Sequence, residues 1–410
     1  MKSKIPVRLK RSLSLAHLVL YGLGVTIGAG IYVLIKDTTA EAGIYAPVAF
    51  ILSAIVMAFT AGSFAEFASR LPVSAGEAAY VRKGLNSKTL SLFVGLGVAS
   101  AGIVSAATVS IGSVGYIREF IDVSPALLIT MVVLIMGMVA TWGIVESITL
   151  AALFTLVEVG GLLLIIGGGF YTDSTIAPRL ISVFPPFTEL GLWVGISSAG
   201  LLAFFAFIGF EDLVNIAEEA ENPKVTMPWA IFITLFISTL LYFLVVSIAV
   251  LSVPLDKLTA SDAPLTLVFE KTTSLPTSAI TIIAIIATLN GVIIQMIMAS
   301  RVIYGLARQG SLPAILSSVN SLTRTPLIAT LVVIGAILIM ALLFPLKGLA
   351  AATSVITLSV FSLVNLSLLR LKIRKIPAPK DIFTVGTWVP ALGFVISLAF
   401  LGINLYNLIT

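Results

Sequence analysis

Eleven apolar runs follow one another along this chain with short polar breaks between them. Each is near or above the roughly 20 residues that cross a bilayer as a helix. They fall at about 13–35, 43–69, 77–108, 125–141, 146–170, 192–218, 227–252, 277–308, 326–344, 349–370 and 388–408. Inside hydrocarbon a backbone must satisfy its own hydrogen bonds, so runs of this kind are helices. The expected class is an all-α polytopic membrane protein. Hydrophobic residues make up 59% of the chain and charged ones 10%, against roughly 25% charged in soluble domains. No stretch is polar enough for a separate soluble unit, so residues 1–410 read as one membrane domain. The absence of cysteine excludes disulfides and thiolate metal sites, and neither metal nor cofactor is expected.

The start, MKSKIPVRLKR, is basic and is not followed by a signal-peptide cleavage pattern. It reads as a cytoplasmic tail. With the N-terminus inside, 18 of the 24 Lys and Arg fall in cytoplasmic segments, as the positive-inside tendency requires. The net charge of +5 then reflects topology and contact with anionic lipid. It is not a nucleic-acid signal.

Span 1 carries an anomaly. YGLGVTIGAGIYVLI, residues 21–35, holds Gly22, Gly24, Gly28 and Gly30. Each glycine costs about 1 kcal/mol against alanine in a helix interior. One reading is a small-residue face for close helix packing. The other is a discontinuous helix whose second half begins near Ala29–Ile31 and aims free N–H groups at an anion.

Span 6 favours the second reading. It runs SSAGLLAFFAFIGFEDLVNIAEEAENPKVTMP over residues 197–228, with Glu211 and Asp212 at mid-membrane depth. A break at Ile208–Gly209 would put both acids in the first turn of a new half-helix, where the dipole favours negative charge. Asp212 reads as such a cap, and Glu211 as cap or gate. Spans 1 and 6 each open a block of five. Paired interrupted segments at matching positions of two halves point to a transporter site at the bilayer midplane, and an odd block length makes the halves inverted.

Polar residues elsewhere in the spans have two readings each. Glu158, deep in span 5, is costly unless protonated or paired, and reads as a proton acceptor or as a neutral acid bonded to a neighbouring helix. Glu66 and Arg70, four apart at the end of span 2, are placed to pair across one helical turn, and Pro72 and Gly76 punctuate a turn before span 3 that reads as structural. Ser100 and Ser105 of span 3, Asn290 and Gln295 of span 8, and Thr353, Ser354, Thr357 and Asn365 of span 10 are candidates either for a cavity or for contacts between helices. His17 reads as an interface residue.

Four stretches carry a resemblance to a known family: GVTIGAGIYVL at 24–34, FFAFIGFE…AEEAENPKVTMPWAI at 204–231, SRVIYGLARQGSLP at 300–313, and AEFASRLPVSAGEAAYV in the turn between spans 2 and 3. Together they resemble the amino acid–polyamine–organocation transporters across essentially the whole chain. The resemblance implies the leucine-transporter fold: two inverted five-helix repeats, here 12–170 and 190–370, plus one further helix at 388–410, with helices 1 and 6 discontinuous. An eleventh span puts the C-terminus outside. It also implies an amino acid carboxylate on the N–H groups near Gly28, Ala29 and Gly30. The substrate ammonium would meet carbonyls near Phe204, Ala206 and Phe207. Phe205 stands where relatives close an aromatic ring over substrate, though it also reads as a lipid or core contact. Thr26, Ile208 and Gln295 fall near the side-chain pocket. Several proton-coupled relatives carry a lysine where this chain has Glu158, so Glu158 and Glu211 are the candidate coupling groups, for a proton or for sodium.

The expectation is therefore a secondary transporter of amino acids in an inner or plasma membrane, working by alternating access. There is no GxxxxGK[ST] run to drive an ATPase, no metal cluster and no nucleophile triad, so an enzyme is not expected. A channel or amino acid sensor on the same fold is the alternative of another class. Among transporters, the alternative is an exchanger of amino acids or polyamines. Counting only Glu158 and Glu211 as cavity acids favours neutral amino acids with a proton.

Overall fold

The structure, a computed structural model, describes residues 9–261, 263–344 and 349–409. Its elements are helices. They are α1 (Leu15–Ala42), α2 (Ala46–Arg70), α3 (Gly76–Leu85), α4 (Lys88–Ile117), α5 (Pro125–Trp142), α6 (Ile144–Thr172), the short α7 (Ile176–Arg179) and α8 (Leu190–Phe204). After α8 come two 3-10 stretches, Phe205–Phe207 and Phe210–Glu219. Then follow α9 (Pro223–Ser252), the short α10 (Leu255–Ala260) and α11 (Pro264–Thr272), α12 (Thr277–Arg308), α13 (Leu327–Leu343), α14 (Leu349–Ile373) and α15 (Trp388–Ile409).

Among the described residues nine helical stretches are long and apolar enough to cross a bilayer. Leu15–Gly28 and Leu327–Leu343 are shorter apolar helices. The outer surface suits lipid. On α5, Leu127, Met131, Leu134, Ile135 and Met138 are exposed, and on α6 so are Leu153, Leu156, Leu163 and Leu164. Large apolar faces of this kind are stable in hydrocarbon and would be a liability in water.

The expected span at 77–108 is two helices. Asn86 adopts a left-handed conformation, φ 56°, and ends α3 with its N–H on the Arg82 carbonyl. The Ser87 hydroxyl then caps α4 by accepting the Leu90 N–H at 3.2 Å. Asparagine tolerates the left-handed region and serine is a strong N-cap, so this pair is a stop followed by a start. The effect is a separate short helix, α3, packed against α4, α14 and the segment 210–219.

Both expected interruptions fall where the backbone leaves helical geometry. In α1 the departure is at Gly28, φ −22° and ψ −137°. A Cβ added to Gly28 would meet nothing within 4 Å, so this residue borders open space. The expectation at Ala29 and Gly30 falls outside the residues whose surroundings are described. The second departure begins at the end of α8. Phe205–Phe207 tighten into a 3-10 turn, Ile208 is extended, and Gly209 sits at φ +129°. A Cβ on Gly209 would come within 2.6 Å of the Val25 side chain, so α1 and the second break are in close contact. The chain then continues as a 3-10 helix to Glu219, where the sequence suggests an α-helical second half.

α1 lies at the centre, packed against α6, α8, α9 and α12. α12 lies along α4, and α2 along α9. At the end of the bundle that carries α3, buried polar contacts tie the elements together. Arg301 of α12 pairs with Glu219 at 2.9 Å, both fully buried. Glu66 accepts from Arg70 at 2.6 Å, from Lys372 at 2.8 Å and from the Val385 N–H at 2.7 Å. The last turns of α2 hold the Glu66–Arg70 pair that the spacing predicts.

Candidate functional site

A cavity of about 550 Å³ lies between the two breaks. It reaches from Tyr116 and Gly112 near the end of α4 down to Glu77 at the start of α3. Its walls are mostly apolar, with Val98, Val109, Ile356, Val360 and Phe361 among them. Gly24, Thr26 and Gly28 of α1 line it, as do Phe205, Ile208, Gly209, Glu211 and Asp212 of the second break and Gln295 of α12.

Of the residues singled out from sequence, Thr26, Gly28, Phe205, Ile208, Glu211 and Gln295 thus meet at one cavity. Phe204, Ala206 and Phe207 do not line it and are buried in the packing beside it. The Phe204 ring packs at a tilt, 4.5 Å from Phe400 of α15, and the Phe207 ring meets Tyr242 of α9 at 5.2 Å. The Thr26 hydroxyl is spent on its own helix, donating to the Gly22 carbonyl at 2.8 Å. Ser105, Thr353 and Thr357 line the cavity. Asn365 is a contact between helices, donating to Thr60 at 3.0 Å. The His17 ring lies 2.8 Å from Ser14, the N-cap of α1.

Tyr242 is not visible as a site residue in the sequence. Its hydroxyl stands 2.6 Å from the Thr26 carbonyl and 3.0 Å from the Ala206 carbonyl, donating between them. One side chain from α9 therefore joins the two segments that face the cavity. A tyrosine in an apolar span carries no signal of this; the tie exists only once α9 packs against α1.

The acids at the floor of the cavity are more numerous than the sequence suggests. Glu77, Glu211 and Asp212 all line it and each is at most 6% exposed. Glu211 accepts the Gly209 N–H at 2.7 Å, and Asp212 accepts from Gln295 at 2.8 Å. Glu77 accepts from Asn215 at 3.0 Å. Burial, and then the negative charge of Glu211, push the Glu77 carboxyl up to about 8. Glu77 sits in a turn that reads as purely structural in sequence, where an acid in the first turn of a helix is ordinary.

Glu158 lies elsewhere. It is fully buried and is absent from the cavity lining. Its Oε1 accepts from Asn290 of α12 at 3.3 Å, and Asn290 also donates to Thr155 at 2.9 Å. The Glu158 Oε2 and the Asn290 Oδ1 are buried without a hydrogen-bond partner. This small polar nest touches α1, since a Cβ on Gly24 would collide with Thr155 and Asn290.

A central cavity faced by two stretches of non-helical backbone is the arrangement in which membrane transporters hold small molecules. The family follows from comparison with known proteins. Residues 13–409 match the family model described as amino acid permease. The chain belongs to that family, within the amino acid–polyamine–organocation superfamily that its four sequence stretches resemble. It is 28% identical to the branched-chain amino acid permease BcaP of Bacillus subtilis, over 97% of this chain and 88% of that one. It is 31% identical to the vacuolar cationic amino acid transporter 4 of Arabidopsis thaliana over 90% of this chain, and spans 65% of that protein's length. Among solved structures it is similar to a Na⁺-coupled sialic acid symporter in a substrate-bound, outward-open state. The TM-score is 0.61 at 15% identity, covering 96% of this chain and 89% of that one. That likeness bears on fold alone, the leucine-transporter fold.

Proposed function

We propose that this permease is a secondary active transporter that carries a neutral amino acid together with a proton by alternating access. The observation that supports it is the meeting of two non-helical backbone segments, at Gly28 and at 205–209, on one largely apolar cavity. Backbone groups freed from helical bonding can recognise the two charged ends common to all amino acids. The carboxylate goes to the N–H groups near Gly28, Ala29 and Gly30. The ammonium goes to carbonyls of the turn at 204–207. The Ala206 carbonyl is already held by Tyr242 and keeps its second lone pair for substrate. Phe205 and Ile208 cover the substrate, and the apolar walls take its side chain. Glu158 holds the coupled proton, with Glu211 as the alternative coupling group. α1 and the interrupted segment 190–219 move together against a scaffold of α4, α5, α12 and α13 about this site, within two inverted repeats at 12–170 and 190–370, with helix 388–410 alongside and the N-terminus cytoplasmic.

A second reading, transport or exchange of cationic amino acids or polyamines, is favoured by one observation. Three carboxyl groups, Glu77, Glu211 and Asp212, line the floor of the cavity, and a cationic side chain would find its counter-charge there.

Counterflow in proteoliposomes tests these readings. Trans-stimulated uptake of labelled leucine, with none of lysine or putrescine, is the expected result. Trans-stimulated lysine or putrescine uptake moves the assignment to the second reading. Flux without trans-stimulation indicates a channel, and binding without flux a sensor. For coupling, Glu158→Gln should keep exchange and lose accumulation driven by an imposed pH gradient. Gradient-driven accumulation at the wild-type level in that variant removes Glu158 from coupling.

A further inference from the structure

Glu77 begins α3 beneath the cavity, and its two carboxyl oxygens are in unlike positions. Oε1 accepts from the Asn215 amide at 3.0 Å. Oε2 is buried with no hydrogen-bond partner, although Glu77 lines the cavity. The Asn215 Oδ1 accepts the Gly76 N–H at 3.2 Å, which leaves the Asn215 amide nitrogen to face the carboxyl. Segment 210–219 is pressed onto this end of α3. A Cβ on Gly76 would come within 2.8 Å of Val214. Glu218 accepts from the Ser74 N–H and hydroxyl at 3.3 and 2.9 Å.

The groups around Glu77 are acids, phenols and an amide. Segment 210–219 contributes Asn215, Glu211 and Asp212, α1 contributes Tyr21, and α3 itself contributes Tyr80. No Lys, Arg or His is among the described residues that line the cavity, and Arg301 of α12 is paired with Glu219. Ionised carboxylates crowded on a buried floor without a cation carry a heavy cost, and a bound proton removes it. The Glu77 Oε2, with no hydrogen-bond partner, is the oxygen left free to take that proton.

We propose that Glu77 is a proton-binding site of the transport cycle: its carboxyl holds a proton while segment 210–219 lies on α3, and passes it to water when the two separate and this end of the cavity opens. The proposal rests on the transporter reading above. It differs from the Glu158 proposal in place, because Glu158 lies in the α1–α6–α12 packing and Glu77 under the cavity floor. The sign follows from linkage. The closed form has Glu77 at about 8 and an opened, hydrated form has it near the ordinary 4.5. Between these values each opening releases one proton, so closure is fully favoured below 4.5 and that advantage is lost as pH rises to 8.

The chain has no cysteine, so Val214→Cys in the full-length protein gives a single reporter thiol in the 210–219/α3 contact. The measurement is its maleimide labelling rate in nanodiscs, divided by the rate for the unfolded chain at the same pH. We expect that ratio to rise by about tenfold per pH unit and to level off above about 8. Adding Glu77→Gln should flatten the dependence, and Glu77→Asp should restore it with a displaced plateau. A slope that survives Glu77→Gln overturns the proposal. If Glu77→Gln is not recovered folded, Glu77→Asp decides, and an unmoved plateau overturns it. A slope that follows sodium concentration at constant pH overturns it in favour of a metal cation. Suppression of labelling by lysine but not leucine, abolished by Glu77→Gln, overturns it in favour of a subsite for a cationic substrate. The readout needs no substrate, so absence of counterflow with the pH slope intact would remove the transporter reading and leave the proton site standing.

Discussion

The two backbone breaks that face the cavity are built differently. The first is a single residue, Gly28, bordering open space. The second extends from Phe205 to Gly209 and runs into a 3-10 helix anchored on several sides. Gly209 is pressed against Val25, Asn215 holds α3, Asp212 is bonded to Gln295, and Glu219 is locked to Arg301. One break presents backbone to a space; the other is a packed latch. Substitutions at the first should therefore affect ligand binding, and substitutions at the second should affect stability.

The largest effect is expected at the anchor of the second break. Arg301→Met leaves the buried Glu219 without its cation, a loss on the order of 3–5 kcal/mol. Thermal unfolding in detergent should show it as a sharp fall in midpoint. The double variant Arg301→Met, Glu219→Leu should recover much of that fall, because a matched apolar pair has no charge to strand. A double variant as unstable as the single one would mean the anchor is not electrostatic.

A glycine pair sharpens the contrast. Gly209→Ala forces a side chain into φ +129° and against Val25, at a cost of about 1–3 kcal/mol for the strain alone. Gly28→Ala meets no neighbour and should unfold at nearly the wild-type temperature while binding leucine more weakly. Equal loss of stability in the two variants would erase the distinction between the breaks.

A smaller effect is expected where the two regions are joined. Tyr242→Phe removes the donor shared by the Thr26 and Ala206 carbonyls, worth about 1 kcal/mol. Both stability and leucine affinity should drop together, and a change in only one would assign the tie to that region alone. The smallest effect is at Phe205. Phe205→Ala should weaken leucine counterflow several-fold without shifting the unfolding midpoint, and Phe205→Trp should weaken it less. Identical counterflow in all three proteins would argue against Phe205 as a cover over substrate.

Both breaks are legible in the sequence because glycine and carboxylates are anomalous in an apolar span, and an anomaly carries position information. Glu158 is legible as a buried acid for the same reason. Its partner Asn290 reads in sequence only as a polar residue in need of one. What cannot be read depends on tertiary placement. Glu77 looks like an ordinary first-turn acid until α3 is laid under the cavity. Asp212 looks like a cap until Gln295 reaches it from α12. The split between α3 and α4 rests on Asn86 and Ser87, a local signal masked by the length of the apolar run that follows. The 3-10 form of 210–219 has no counterpart in its composition, which suits an α-helix equally well.

The Tyr242 tie has a practical consequence for following this protein in motion. Two carbonyls held by one hydroxyl cannot drift apart without breaking a buried bond, so the Thr26–Ala206 separation should stay nearly constant through a turnover. It supplies an internal yardstick. Probe pairs attached to the Leu15 end of α1, on the Thr26 side of the Gly28 break, and to the Pro223 end of α9 should report a fixed distance in every state, and pairs from α1 to α4 should report the opening itself.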